Sequence, residues 1–284
     1  MLEYTIEFLA QNGVEELFVL CVWHAEIIQA YVNNSKWATN TTISVQCINF
    51  PSSQCAGDAL RDLYLLDLIH SDPFILISGD VISNMDLKRA IAFHKEKRKA
   101  DIDATMTIVL KPVQRGAGAK PITDDLVVAQ DRSTGQLLLF EDAYKKSSVG
   151  IPLEILKEHP GMVIRTDLLD CHVDICSSDF ISQFSDNFDY KDIRRDFIKS
   201  EVATYELGRH IYGYILQVSN HIFIYFPSTL ILSIFLFKQF LSGSFIFISF
   251  IAISLTLFLR YLCSMNTPPE YRTPAHTTQY AETL

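Results

Sequence analysis

The chain has 284 residues and a formal net charge of −9, from 24 Lys and Arg against 33 Asp and Glu. That length supports one large domain or two small ones with an ample core, and the acid excess argues against a dedicated nucleic-acid binder, whose footprint is a basic patch. The six cysteines (21, 47, 55, 171, 176 and 263) contain no CxxC pair, so they read as buried or half-buried thiols of a reducing compartment rather than a zinc site or disulfide framework.

Leu2 to Asn12 spaces Leu2, Ile6, Leu9 and Ala10 as the stripe of an amphipathic helix, with Gly13 as its stop. This acidic start is not a signal peptide. Leu17 to Trp23 reads as an apolar strand, and His24 to Asn33 as a helix with Ile27, Ile28, Tyr31 and Val32 inward. Thr42 to Ile48 has strand character, and a helix follows from Gly57 to Ile69. The continuous apolar run Phe74 to Ile77 predicts a strand buried on both faces. It stops at Ser78-Gly79-Asp80, and Asn84, a good N-cap residue, opens the helix Met85 to Lys99 before a strand from Ala104 to Leu110. This alternation predicts an α/β, Rossmann-like fold, a right-handed and mostly parallel sheet with helices on both faces.

Beyond residue 110 the pattern changes. Leu126 to Ala129 and Gln136 to Phe140 flank the turn-forming Asp131-Arg-Ser-Thr-Gly135, which predicts a β-hairpin. Val163 to Ile175 is rich in strand formers, Ser177 or Ser178 opens a short helix to Phe184, Tyr190 to Ser200 reads as another helix, and Arg209 to Leu216 as a last strand. Gly116 to Pro121 reads as a loop.

Few residues carry chemistry. The cluster Lys95-Glu-Lys-Arg-Lys99 complements a helix C-terminus and reads as solvated. His24, His70, His94, His159 and His172 have neither HxxxH nor HExxH spacing, and none is assigned a metal or a proton. Gly116 and Gly118 lack the strand before and capped helix after that a phosphate loop requires, and GxSxG is absent. Cys171 and Cys176, five apart in one strand, belong on opposite faces. Carboxylates remain. Asp80 follows a buried strand, where ligand sites of open α/β sheets are built, and Asp170 and Asp174 share the segment 168–177. A magnesium ion on substrate phosphates needs only one or two protein carboxylates, so the sequence permits such a site.

At these segments the chain resembles the epsilon subunits of eukaryotic translation initiation factor 2B, in their N-terminal domain, which is similar to nucleotide-sugar pyrophosphorylases. The resemblance rests on Met1-Leu-Glu-Tyr-Thr5 with Gly13-Val-Glu-Glu-Leu-Phe-Val19, Gly57-Asp-Ala-Leu-Arg-Asp62, Ser78-Gly-Asp-Val-Ile-Ser-Asn84, Leu168-Leu-Asp-Cys-His-Val-Asp-Ile-Cys176 and Asp186-Asn-Phe-Asp-Tyr190, in order over residues 1–216. It implies an assembly and binding module of the complex that exchanges GDP for GTP on translation initiation factor 2. Its partners are then the other subunits of factor 2B and factor 2 itself, in the cytosol, with no direct nucleic-acid contact and no cofactor. The exchange activity of the family belongs to a C-terminal helical-repeat domain, and neither that domain nor the preceding β-helix is expected in these residues.

The same resemblance implies an inactive nucleotidyltransferase. Active relatives begin with a strand and glycine-rich loop, and Met1 falls in the helix after that loop, so the domain reads as truncated. Their Glu-Lys-Pro segment falls at Glu141-Asp-Ala143, without the lysine. Asp80 alone matches a magnesium-binding aspartate and is retained as a vestigial metal position. The alternative function is a nucleotide-sugar pyrophosphorylase-type nucleotidyltransferase.

A composition break follows Gln217. From Val218 to Cys263 only Lys238 and Arg260 are charged, and Gln239 to Leu259 holds 21 uncharged residues, about 31 Å as a helix and enough to cross a hydrocarbon core. The expected organisation is a nucleotidyltransferase-like domain over 1–217, a hydrophobic helical, membrane-associated segment over 218–263 and a disordered polar tail over 264–284. The Phe, Ile, Leu and Ser bias also fits translated AT-rich non-coding sequence, with Val218-Ser219 compatible with an unspliced intron. Membrane contact enters only through 218–263.

Overall fold

The computed structural model describes residues 2–40, 42–113, 126–143, 146, 148–204 and 208–217, together with the backbone of 222–224, 234–236 and 246–251. All of these lie in one compact unit, Met1–Ile253.

The first half alternates as expected: α1 (Leu2–Gln11), β1 (Glu16–Cys21), α2 (Ala25–Asn33), β2 (Ser44–Asn49), α3 (Ala56–Leu66), β3 (Phe74–Ile77), a short β4 (Val81–Ser83), α4 (Leu87–Ala100) and β5 (Ala104–Pro112). All four residues of β3 are buried. Phe74 and Leu76 face one hydrophobic cluster with α3 residues Ala59, Leu60 and Leu63. Ile75 and Ile77 face a second cluster with Ile6 and Leu9 of α1, Ile28 of α2 and Leu87 and Ala90 of α4. The sheet is therefore covered on both faces, which is why β3 reads as an unbroken apolar run. Two local readings change. The cap of α4 is Asp86, whose carboxylate accepts from Lys88 N, rather than Asn84. In α2 the inward pair is Ile28 and Val32, while Ile27 and Tyr31 are 60% and 45% exposed, because so short a helix buries a single narrow stripe.

The chain then makes a three-stranded antiparallel sheet from β6 (Leu126–Asp131), β7 (Leu137–Asp142) and β8 (Met162–Arg165), with α5 (Leu153–Glu158) between β7 and β8. The predicted turn is present. Asp131 Oδ1 accepts from Ser133 N at 2.7 Å and Thr134 N at 3.1 Å, and Gly135 supplies a φ of 77° that side chains avoid. Then follow β9 (Leu168–Cys176), α6 (Asp179–Asp186), a π-helical turn at Ile193–Ile198, α7 (Lys199–Ala203) and β10 (His210–Ile215).

The main sheet carries the order β10-β5-β9-β3, with β1 and β2 beyond. Parallel pairs are β1 with β2 and β5 with β10, but β9 runs antiparallel to both β3 and β5. The sheet departs from parallel order at β9. The cause is the excursion through β6, β7 and β8, which leaves and returns at one end of β5: Val113 N donates to Asp167 O at 2.8 Å. A segment re-entering at the end from which its neighbour left must run back. Cys171 and Cys176 are fully buried in different clusters, on opposite faces.

Hydrophobic tail segments stand between β3 and β1. Ile246–Ile251 (β13) registers parallel to both, and Ile234–Leu236 (β12) antiparallel to both, while Ile222–Ile224 (β11) pairs with β4. Of the helix expected over 239–259, residues 246–251 form strand and the rest lies outside the described residues. Ile-Phe-Ile-Ser-Phe-Ile is β-branched and aromatic, and an open edge in a buried sheet offers it backbone partners. Among the described residues no helix is long and apolar enough to cross a membrane. The expected loop at Gly116 to Pro121 and the polar tail over 264–284 lie outside the described residues.

Candidate functional site

The site forms where β3 ends. Ser78 N donates to His172 O of β9 at 3.0 Å, and Val81 N to Ser78 O at 3.3 Å, closing a tight turn around Gly79 and Asp80. From α1 the fully buried Thr5 reaches across, its hydroxyl lying 3.3 Å from Gly79 O and 3.0 Å from Val81 O. Asp80 is half-buried, and its Oδ1 accepts from Ser78 Oγ at 2.5 Å.

Opposite this turn, β9 carries the second acidic group. The side chains of Asp170 and Asp174, four apart in a strand, project to the same face, and one cation meets both. Arg194, from the π-helical turn capped by Asp192, donates through Nε and Nη2 to Asp170 at 2.7 and 3.1 Å, and through Nη1 and Nη2 to Asp174 at 2.5 and 2.9 Å. Burial opposes ionisation of Asp170, but the guanidinium outweighs it and holds this carboxyl well below the usual range. A single positive charge compensates only one of two carboxylates. Burial accordingly pushes the Asp174 carboxyl up, against the pull of Arg194 and with the Asp170 charge adding to the rise. Between them, His172 adopts a left-handed φ of 51°, and its N–H donates to Asp170 Oδ1 at 2.9 Å. Positive φ is uncommon outside glycine.

A third cluster closes the face carrying α3 and α6. Arg61 donates to Phe184 O at 3.1 Å and Tyr190 O at 3.4 Å and pairs with Asp58 at 2.6 Å. Gly57 N donates to Lys191 O at 3.0 Å. Beneath lie Phe180, Phe184, Tyr190 and Phe197, with ring centroids 5.0 to 5.9 Å apart, and Tyr190 Oη donates to Glu201 Oε1 at 2.8 Å.

The structure thus unites the segments singled out in the sequence: Thr5 with Gly79 and Val81, Ser78 with His172, Gly57 and Arg61 with the chain at Tyr190. It does not assemble Asp80, Asp170 and Asp174 into a cation site. Among the described residues no three His, Cys, Asp or Glu side chains converge as metal ligands. The β9 carboxylates hold Arg194, while Asp80 Oδ1 accepts the Ser78 hydroxyl hydrogen. Glu141, where the enzymes' Glu-Lys-Pro segment falls, is likewise engaged by Lys146 and by Lys199 at 3.0 Å. Sequence reasoning missed Arg194, Arg61 and Thr5. The available signal for Arg194 was two aspartates on one face of a strand, which demand a cation once buried.

A family model described as nucleotidyl transferase matches residues 1–118. The chain is 40% identical over 217 residues to the translation initiation factor eIF2B subunit epsilon of Dictyostelium discoideum, covering 76% of this chain and 31% of that protein. Identity to the corresponding subunit of Schizosaccharomyces pombe is 39% over 219 residues, covering 76% and 32%. The solved structure of HddC from Yersinia pseudotuberculosis aligns over 78% of each chain at 14% identity with a TM-score of 0.49. The chain spans about a third of the length of the curated relatives it matches. Over three-quarters of its length the chain is similar to the epsilon subunits of translation initiation factor eIF2B, and its residues 1–118 match the nucleotidyl transferase model.

Proposed function

We propose that residues 1–217 form a binding and assembly module of the complex that exchanges guanine nucleotide on translation initiation factor 2, acting in the cytosol with the other subunits of factor 2B and with factor 2. The relatives supply the context, and one structural observation carries the reading: groups suited to nucleotidyl transfer are spent on one another. Arg194 bridges both β9 carboxylates, and Asp80 accepts from Ser78 Oγ. Asp80 stays in this reading as a vestigial metal position.

The test is co-purification of the tagged chain with factor 2B subunits and factor 2, for wild type and Asp80→Asn. Equal recovery of partners is expected, with no pyrophosphate released from a nucleoside triphosphate, magnesium and a sugar phosphate. Pyrophosphate release that Asp80→Asn abolishes would establish instead the pyrophosphorylase-type reaction, to which the nucleotidyl transferase match over residues 1–118 points. Retention of the chain in the membrane pellet after alkaline extraction would overturn the cytosolic assignment and restore a membrane role for 218–263.

A further inference from the structure

Among the described residues no ladder joins β1 to β3, although both belong to the main sheet. Both are buried walls: Leu17 to Cys21 and Phe74 to Ile77 are at most 3% exposed. Each is paired on its far side, β1 with β2 and β3 with β9, so the remaining backbone N–H and C=O groups of both turn into the gap between them. Buried backbone groups of this kind need partners. In the gap, Ile246–Ile251 keeps one parallel register to both walls. Phe247 stands opposite Leu17 and Ile75, Ile246 and Ile248 opposite Phe74 and Leu76, and Ile251 opposite Cys21.

We propose that the gap between β1 and β3 is a strand-binding site whose ligand is an extended apolar segment parallel to both walls, filled in this chain by Ile246–Ile251. A strand held there pairs along both flanks, whereas a strand added to a sheet edge pairs along one. The walls then stand two strand spacings apart, about 9.6 Å, which leaves room for one strand at each level. The β13 register brings Ser249 level with Val19 and Ile77, the residues that Phe235 of β12 also meets, so β12 and β13 address one place. Of the two, β13 is the better ligand. It has six residues against three, and it meets three residues of β3 where β12 meets one. Its direction carries the parallel run of β2 and β1 on into β3, and Ile-Phe-Ile-Ser-Phe-Ile consists mainly of strand formers, with neither Pro nor Gly. The hydrophobic stretch after Gln217 thereby gains a role inside the sheet, as the strand that closes it.

The experiment is amide hydrogen exchange of the full chain in detergent-free buffer, read by peptide mass. In the natural chain, residues 246–251 are expected to exchange at least about 100-fold more slowly than an unstructured segment, in step with 17–21 and 74–77. Ile248→Pro removes a ladder N–H from the middle of the ligand strand. It is expected to speed exchange about tenfold or more at 17–21 and 74–77, and to leave the β5–β10 ladder at 106–110 and 211–215 protected. Phe235→Pro, in β12, is expected to leave all of these rates unchanged. Exchange of 246–251 at the unstructured rate in the natural chain overturns the proposal, whatever the variants do and whether or not Ile248→Pro folds. So does a folded Ile248→Pro chain with unaltered protection at 17–21 and 74–77, or release of those walls by Phe235→Pro instead.

Discussion

Gly57 and Tyr190 meet without room for a side chain: a Cβ at Gly57 falls 1.8 Å from the Tyr190 carbonyl oxygen and 2.9 Å from its carbonyl carbon. The obstacle is backbone, fixed on one side by Gly57 N to Lys191 O and on the other by Arg61 to Tyr190 O. Gly57→Ala must therefore part α3 from the 186–191 segment. We expect a loss of about 3 kcal/mol, the upper end of overpacking costs, read by urea denaturation. A change below about 1 kcal/mol would mean that the two segments separate freely.

Arg194 is expected to matter more than any surface charge. Arg194→Met leaves Asp170 and Asp174 buried without their cation, a loss of about 3–5 kcal/mol. Adding Asp170→Asn and Asp174→Asn removes the stranded charges and is expected to recover part of that loss. A triple variant no more stable than Arg194→Met alone would refute the charge argument and leave packing as the role of the guanidinium.

The buried His94 predicts acid sensitivity. Its Nδ1 lies 2.9 Å from Thr107 Oγ1, and its Nε2 is buried without a hydrogen-bond partner. Burial, reinforced by the charges of Arg98 and Lys95, lowers its pKa from 6.5 to about 4. The unfolded chain takes up a proton below pH 6.5 that the folded chain refuses until about pH 4, so stability falls as pH drops through this window. The full effect is about 3 kcal/mol. Denaturation midpoints at pH 7 and pH 5 read it, and His94→Gln should flatten the slope. An unchanged slope in that variant assigns the acid sensitivity to another group.

Thr5→Val keeps the shape of the side chain and removes its hydroxyl from Gly79 O and Val81 O. We expect about 1–2 kcal/mol of destabilisation from the two carbonyls left without this donor. Faster amide exchange should appear at Ser78 and Val81, the donors of the turn. Exchange accelerated equally throughout the sheet would point to general weakening instead.

Much of this architecture is legible along the chain. Phe74 to Ile77 announces a strand covered on both faces, the 131–135 turn announces its hairpin, and Cys171 and Cys176 separate to opposite faces as their spacing requires. The site is legible only as a set of segments. Asp170 and Asp174 look like metal ligands until Arg194, twenty or more residues on, is folded against them. The tail reads as a helix because a long apolar run looks alike in lipid and in a protein core, whereas Ile246–Ile251 takes strand geometry from the open edges of β1 and β3.

Taken alone, the amino-acid sequence determined the α/β alternation, the doubly covered central strand and the relationship to the eIF2B epsilon subunits. Apolar periodicity records burial within a few residues of itself, so these features need no knowledge of distant partners. Tertiary structure decided the antiparallel course of β9, the closure of Gly57 on Tyr190 and the choice of Arg194 as the cation of the acidic pair. Each depends on which remote groups meet in the low-dielectric interior. There a carboxylate takes whichever cation the fold brings within hydrogen-bond reach, and its own neighbours in sequence do not name that partner.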